Sequence, residues 1–114
     1  MPPTLPDRLV HILDAINDIQ AILSGATLAS FAADKFRRMV VERSFEIICE
    51  ASRHLPADVK AQQPEINWQG MVDFGNRLRH AYHRVEANLL WQIAERDLPP
   101  LKAFVERVMR ESTP

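Results

Sequence analysis

This chain is poor in the features that staple, anchor or electrically coat a protein. A single cysteine, Cys49, excludes an internal disulfide and suits a reducing cytosol. It lies in a strongly apolar helical segment, where the thiol is expected to be buried and inert rather than reactive. The first residues, Met-Pro-Pro-Thr-Leu-Pro, contain no basic head followed by an apolar run, so no signal peptide is expected. No segment approaches the roughly 20 apolar residues that span a bilayer. A cytoplasmic protein is the expectation. The net charge of −1 supplies no global basic field, which argues against coating of nucleic acid over the whole surface. Any site for a polyanion must be a local patch. Alternating apolar and polar residues, internal repeats and low-complexity stretches are also absent.

What remains is helical periodicity. At 114 residues the chain is expected to form one domain, 1–114, with a modest core. Pro6 and Asp7 open a first helix, in which Leu9, Ile12, Leu13, Ile16, Ile19 and Leu23 follow the i, i+3, i+4, i+7 spacing. Gly25 stops it, and Thr27 to Phe31 forms a short lead-in turn. A long second helix is expected from about Ala33 to His54. Phe36, Val40, Ile47 and Ala51 form one apolar stripe on it, and Val41, Phe45, Ile48 and Leu55 an adjacent one. So wide an apolar face implies two neighbours, hence a central helix, or an excess covered by oligomerisation. Pro56 and Pro64 bracket a connector with room for one helical turn. Asn67 is placed to cap a third helix and Asn88 a fourth. Leu98-Pro99-Pro100 starts a fifth, because proline is tolerated in a first turn but not in an interior. The expected fold is all-α, a four- to five-helix bundle.

The third helix concentrates the chemistry. From Met71 to Val85, apolar residues fall at Met71, Phe74, Leu78, Tyr82 and Val85, the spacing of a buried face. Asp73, Asn76, Arg77, Arg79, His80, His83 and Arg84 occupy the other side. At about 100° per residue, Asn76, His80 and Arg84 stack one turn apart, flanked by Arg77 and His83. A surface histidine is by itself most simply incidental. Two beside a carboxamide and several guanidiniums suit cleavage of an RNA phosphodiester bond. A neutral imidazole takes the 2′-OH proton, a guanidinium stabilises charge building on phosphorus, and a polar side chain holds the phosphate. Histidine titrates near neutrality and serves as acid or base. This chemistry needs no metal and no cofactor. A metal held by Asp73, His80 and His83 is the rival use of the same stripe, and the dense arginine opposes it. Periodicity makes Tyr82 a core tyrosine, with its hydroxyl at the rim. Arg37, Arg38 and Arg43 read as a solvated face, Trp68 and Trp91 as packing residues. His11 and His54 have no partner in the sequence.

His80-Ala81-Tyr82, followed by Val85, Trp91 and Asp97-Leu98-Pro99-Pro100-Leu101, resembles the HepT-like proteins of the HEPN superfamily. Upstream, Phe31 and Asp34, Val41-Glu42-Arg43, Phe45-Glu46-Ile47-Ile48, Glu50-Ala51 and Pro64-Glu65-Ile66-Asn67-Trp68 extend the likeness over most of the chain. The resemblance implies a homodimeric helical bundle with its active site where two copies of the motif face each other. It implies a metal-independent endoribonuclease, the toxin of a toxin–antitoxin pair whose antitoxin is a small nucleotidyltransferase of the MNT type. On this likeness His80 is the catalytic base or acid, and Asn76 the polar residue that follows the usual arginine. Tyr82 is where the partner attaches AMP. His83 and Arg84, from their place on the polar stripe, are expected to contact RNA. The family pattern is an arginine, four to six residues, then the histidine. Counting back from His80, the corresponding positions hold Gly75, Phe74 and Asp73. Arg77 or Arg79 is then expected to supply the missing charge. The departure also opens an alternative: a non-catalytic nucleotide- or partner-binding subunit of a nucleotidyltransferase complex.

Overall fold

The fold follows from where the helices start and stop. A computed structural model describes residues 2–80 and 85–112; Tyr82, His83 and Arg84 lie outside the described residues. Thr4 opens α1 (Leu5–Leu23): its hydroxyl accepts from the Asp7 N–H, while the Asp7 carboxylate accepts from the Thr4 N–H at 2.9 Å. This reciprocal pair satisfies two backbone donors that a helix start leaves unpaired. Gly25, with φ of 76°, supplies the left-handed turn that ends the segment. The stretch expected as a lead-in turn is a short helix, α2 (Leu28–Ala32), capped by Thr27 and Ser30 in the same reciprocal way.

Asp34 caps α3 (Lys35–Arg53) by accepting from the Arg37 N–H at 3.1 Å. The connector holds one turn, α4 (Ala57–Lys60). Trp68 then starts α5 (Trp68–His80), with the Asn67 side chain accepting from the Gly70 N–H at 2.9 Å. The cap expected at Asn88 is instead at Glu86, so α6 (Ala87–Arg96) begins at Ala87. Glu86 makes no side-chain cap bond. Asn88 therefore lies inside the first turn, where its side chain cannot do an N-cap's work. After Asp97 the two prolines sit in the first turn of α7 (Leu98–Ser112). There is no strand among the described residues, which form an all-α bundle of five main helices and two short ones.

Helix α3 is central. It packs along α1 and α5 and also touches α2 and α6, while α7 closes the bundle against α1 and α6. Val41, Phe45, Ile48 and Leu55, the second of the two predicted stripes, are buried. The first stripe divides. Ala51 is buried, but Phe36 is 77% exposed and Val40 is exposed with Met39 beside it. Periodicity could not separate these stripes, because both have helical spacing and only the placement of α1 and α5 decides which is covered. Trp68 and Trp91 are packing residues as expected: the Trp68 ring meets Phe104 edge-on at 5.5 Å and Trp91 lies 5.9 Å from Phe31. The Trp68 Nε1–H also donates to the carbonyls of Lys60 and Gln63, both at 3.1 Å, tying the connector to α5.

Helices α3 and α5 approach closely at Gly75. A Cβ there would lie 2.8 Å from the Cβ of Cys49. That atom is bonded directly to the α3 backbone, so relief requires moving a helix and not merely turning a side chain. Gly75→Ala is expected to destabilise the protein by about 1–3 kcal/mol, because overpacking outweighs the roughly 1 kcal/mol by which alanine favours a helix. The same substitution in a Cys49→Gly background should cost clearly less. Urea unfolding of the four proteins measures this coupling, and equal costs in both backgrounds would contradict the contact.

Candidate active site

The polar stripe of α5 emerges as the sequence suggests. Asp73, Asn76, Arg77, Arg79 and His80 are exposed, while Leu78 is buried and Met71 and Phe74 pack partly buried against the core. Basic residues Arg77, Arg79 and His80 occupy the last turn of α5. Positive side chains in a last helical turn interact favourably with the negative end of the helix dipole. Of the predicted site residues, Asn76, Arg77, Arg79 and His80 therefore share one exposed end of one helix. His83, Arg84 and Tyr82 lie outside the described residues.

Arg79 ties this end to α3. Its Nη2 donates to the Asn76 side-chain oxygen, and its Nη1 stands 3.6 Å from Glu50 Oε2. Asn76 is one turn below His80, so the bond draws the guanidinium across toward the Asn76–His80 stripe. On the α3 side, Glu50 Oε1 accepts from Arg53 Nη2 at 2.8 Å, and His54 Nε2 lies 3.0 Å from the same oxygen. The His54 nitrogen is also 3.1 Å from Arg53 Nη2. Arg53 has only protons to offer and Glu50 only lone pairs. A protonated Nε2 donating to Glu50 satisfies the stronger, charge-assisted contact. His54, which sequence alone left without a partner, thus belongs to a cluster that spans two helices. The signal was present in the i, i+4 spacing of Glu50 and His54, but nothing in one sequence says that Arg79 would meet them.

One carboxylate among two guanidiniums and an imidazole leaves the cluster with surplus positive charge. A local basic patch of this kind is how a chain of near-zero net charge can attract an anion. Arg53 and then His54 hydrogen bonds hold the Glu50 carboxyl far below its usual range, at about 2. Cys49 behaves oppositely: burial pushes its thiol up to about 12, so it is an inert packing residue as expected. Asp73, offered above as one metal ligand, instead accepts from Gln69 Nε2 at 3.1 Å. No group of three or more His, Cys, Asp or Glu among the described residues is placed to hold a metal ion. A mostly apolar cavity of about 470 Å³, lined by Phe45, Ile48, Met71, Phe74 and Leu101 among others, opens elsewhere and includes neither Arg79 nor His80. Arg37 pairs with Asp34 and Arg43 with Glu46, as befits a solvated face. Arg38 is only partly exposed. No helix is long and apolar enough to cross a membrane among the described residues.

Because Glu50 titrates lower in the folded chain than at its reference value of 4.5, its contribution to stability is complete above that value. It is lost as pH falls toward about 2. The side chains involved are nearly half exposed, so solvent screening limits the effect to about 1 kcal/mol. Glu50→Gln is expected to flatten the acid limb of the stability curve by that amount. Parallel urea titrations of both proteins between pH 6 and pH 2.5 would show it, and superimposable limbs would refute it.

Comparison with known proteins places this chain in a family. The model of the Ribonuclease HepT-like family matches residues 12–108. A relative from Thermococcus cleftensis, named "Probable ribonuclease HepT", is 36% identical over 104 residues, covering 91% of this chain and 94% of that protein. A second relative, from Methanocaldococcus jannaschii and carrying an RNase name, is 36% identical over 100 residues, covering 88% of this chain and 92% of its own. No solved structure matches the chain. With the family model spanning all but the ends of the chain and relatives aligned along nearly their whole length, this protein belongs to the Ribonuclease HepT-like family.

Proposed function

We propose that this protein is a homodimeric, metal-independent endoribonuclease and the toxin of a toxin–antitoxin pair with an MNT-type nucleotidyltransferase. The observation that carries the enzymatic part is the end of α5. There an exposed His80 follows a guanidinium that Asn76, one turn below the imidazole, draws onto their common face. His80 takes the proton of a ribose 2′-OH and the freed oxygen attacks the adjacent phosphorus. The 5′-oxygen leaves with a proton from an imidazolium, and the product end is a cyclic phosphate. Arg79 and Arg77 stabilise the charge that gathers on the phosphoryl oxygens, and Asn76 orients the group. His83 and Arg84 extend the contact to RNA.

The homodimer has its own support. Phe36, Met39 and Val40 form an exposed apolar patch on α3. Phe36, Val40, Arg43, Ile47, Glu50 and His54 follow one another at three- and four-residue steps, so the patch runs along the same helix face into the Glu50 cluster. An isologous contact along this face would cover the patch and bring two sites toward each other. The alternative, a non-catalytic binding subunit of a nucleotidyltransferase complex, drew on the glycine at position 75. The close contact with α3 gives Gly75 a packing reason, which supports the catalytic reading over that alternative. Attachment of AMP to Tyr82 by the partner is the regulatory part of the proposal, and co-expression with the partner should add one adenylyl mass on the peptide holding Tyr82.

His80→Ala is expected to remove RNA cleavage and growth inhibition together, with unchanged helical circular dichroism. Cleavage persisting in that variant would end the proposal. Phe36→Glu should turn a dimer into a monomer in sedimentation and lower cleavage at least tenfold, on the order expected when an active-site group is misplaced. A dimer that survives the substitution would show that the contact lies elsewhere.

A further inference from the structure

We propose that the arginine of the family pattern has been moved by one helical turn in this protein, from 75 to 79, and that Glu50 is the positioning residue that makes the new location work. The inference rests on the ribonuclease proposal above and extends it to Glu50, to which that proposal gives no part in the reaction.

Position 75 cannot carry a side chain while α3 and α5 keep their spacing, since a Cβ would stand 2.8 Å from Cys49 Cβ. Arg79 follows four residues later and so lies on nearly the same helix face. Its Nη1 is 3.7 Å from where the Cβ of residue 75 would be. A guanidinium carried on residue 79 thus reaches back over the space that glycine leaves open. Loss of an arginine at 75 and gain of one at 79 deliver the same charge to neighbouring volumes.

A guanidinium on a long side chain has to be fixed to be useful, and two groups fix it. Glu50 Oε2 faces Nη1 at 3.6 Å, and the Asn76 oxygen accepts from Nη2. Of five N–H donors on an arginine, these contacts leave donors free for a phosphate. Glu50 cannot drift after Arg79, because Arg53 and His54 hold its carboxylate from the α3 side at 2.8 and 3.0 Å. The anchor comes from α3 and the guanidinium from α5. The Gly75–Cys49 contact sets the distance between them, so Gly75 permits the geometry that Arg79 exploits.

Glu50→Gln and Arg79→Lys keep size and polarity, which makes unfolding a poor explanation for their effects. In Glu50→Gln, kcat for RNA cleavage is expected to fall about tenfold with KM within about twofold, the pattern of an interaction made in the transition state. Arg79→Lys should fall on the order of 100-fold, because a point charge does not replace a planar fork. Glu50→Asp should recover part of the loss. Nuclear magnetic resonance supplies an activity-independent measure: the Arg79 Nε–Hε signal should be resolved and ordered in the wild-type protein and averaged in Glu50→Gln. If His80→Ala abolishes cleavage while Glu50→Gln leaves both kcat and the Arg79 signal unchanged, the positioning role is overturned and the ribonuclease proposal stands. If the wild-type protein cleaves no RNA, the ribonuclease proposal fails, and with it the catalytic use of Arg79. An Arg79 signal already averaged in the wild-type protein overturns the anchoring outright.

Discussion

The contact between Gly75 and Cys49 governs how everything else can be arranged. Two helices that meet through a glycine and a small thiol approach more closely than helices separated by larger side chains. The distance is paid back in polar geometry at the adjoining surface. Glu50 on α3 and Arg79 on α5 are each of ordinary length, and they meet at 3.6 Å because the backbones beneath them are close. The thiol contributes bulk and no reactivity, as its strongly raised pKa indicates. A residue type that invites chemical speculation acts here as a spacer.

Much of the bundle was legible because helical periodicity and capping chemistry are local. Thr4 with Asp7, Asp34 and Asn67 each close a helix start through atoms within three residues. Where local signals competed, sequence alone chose less well. Asn88 is a good capping residue in the wrong place, and Glu86, which makes no cap bond, precedes the helix instead. The two apolar stripes of α3 carry the same periodic signal, yet one is core and the other holds Phe36 in solvent. Deciding between them requires knowing where α1 and α5 lie, which is information about other parts of the chain.

The candidate site shows the same division. That Asn76, Arg77, Arg79 and His80 would share an exposed face follows from their spacing on a single helix. That Glu50 binds His54 follows from their i, i+4 spacing, but that Arg79 reaches Glu50 depends on a crossing between segments 29 residues apart in sequence, and no local rule announces it. The glycine at 75 is the clearest case. As a letter in a pattern it is a missing arginine; in three dimensions it is the point at which two helices touch.

Electrostatics connects the two ends of α3. The chain as a whole carries almost no net charge, so attraction for a polyanion such as the proposed RNA substrate cannot come from a long-range field and would have to be built at short range. Gathering Arg53, Arg79 and His54 near one carboxylate does this, but it also crowds like charges. Glu50 relieves the crowding at its centre and thereby keeps the guanidiniums in place without cancelling them all. A second copy meeting the apolar part of the same face would add another such cluster to the groove. A phosphate lying between the two would then be the natural counterion for charges that neither protomer neutralises alone. In the proposed dimer the exposed Phe36 and the polar cluster would be parts of one device: apolar burial would supply the association, and an anionic substrate would relieve the repulsion that association creates.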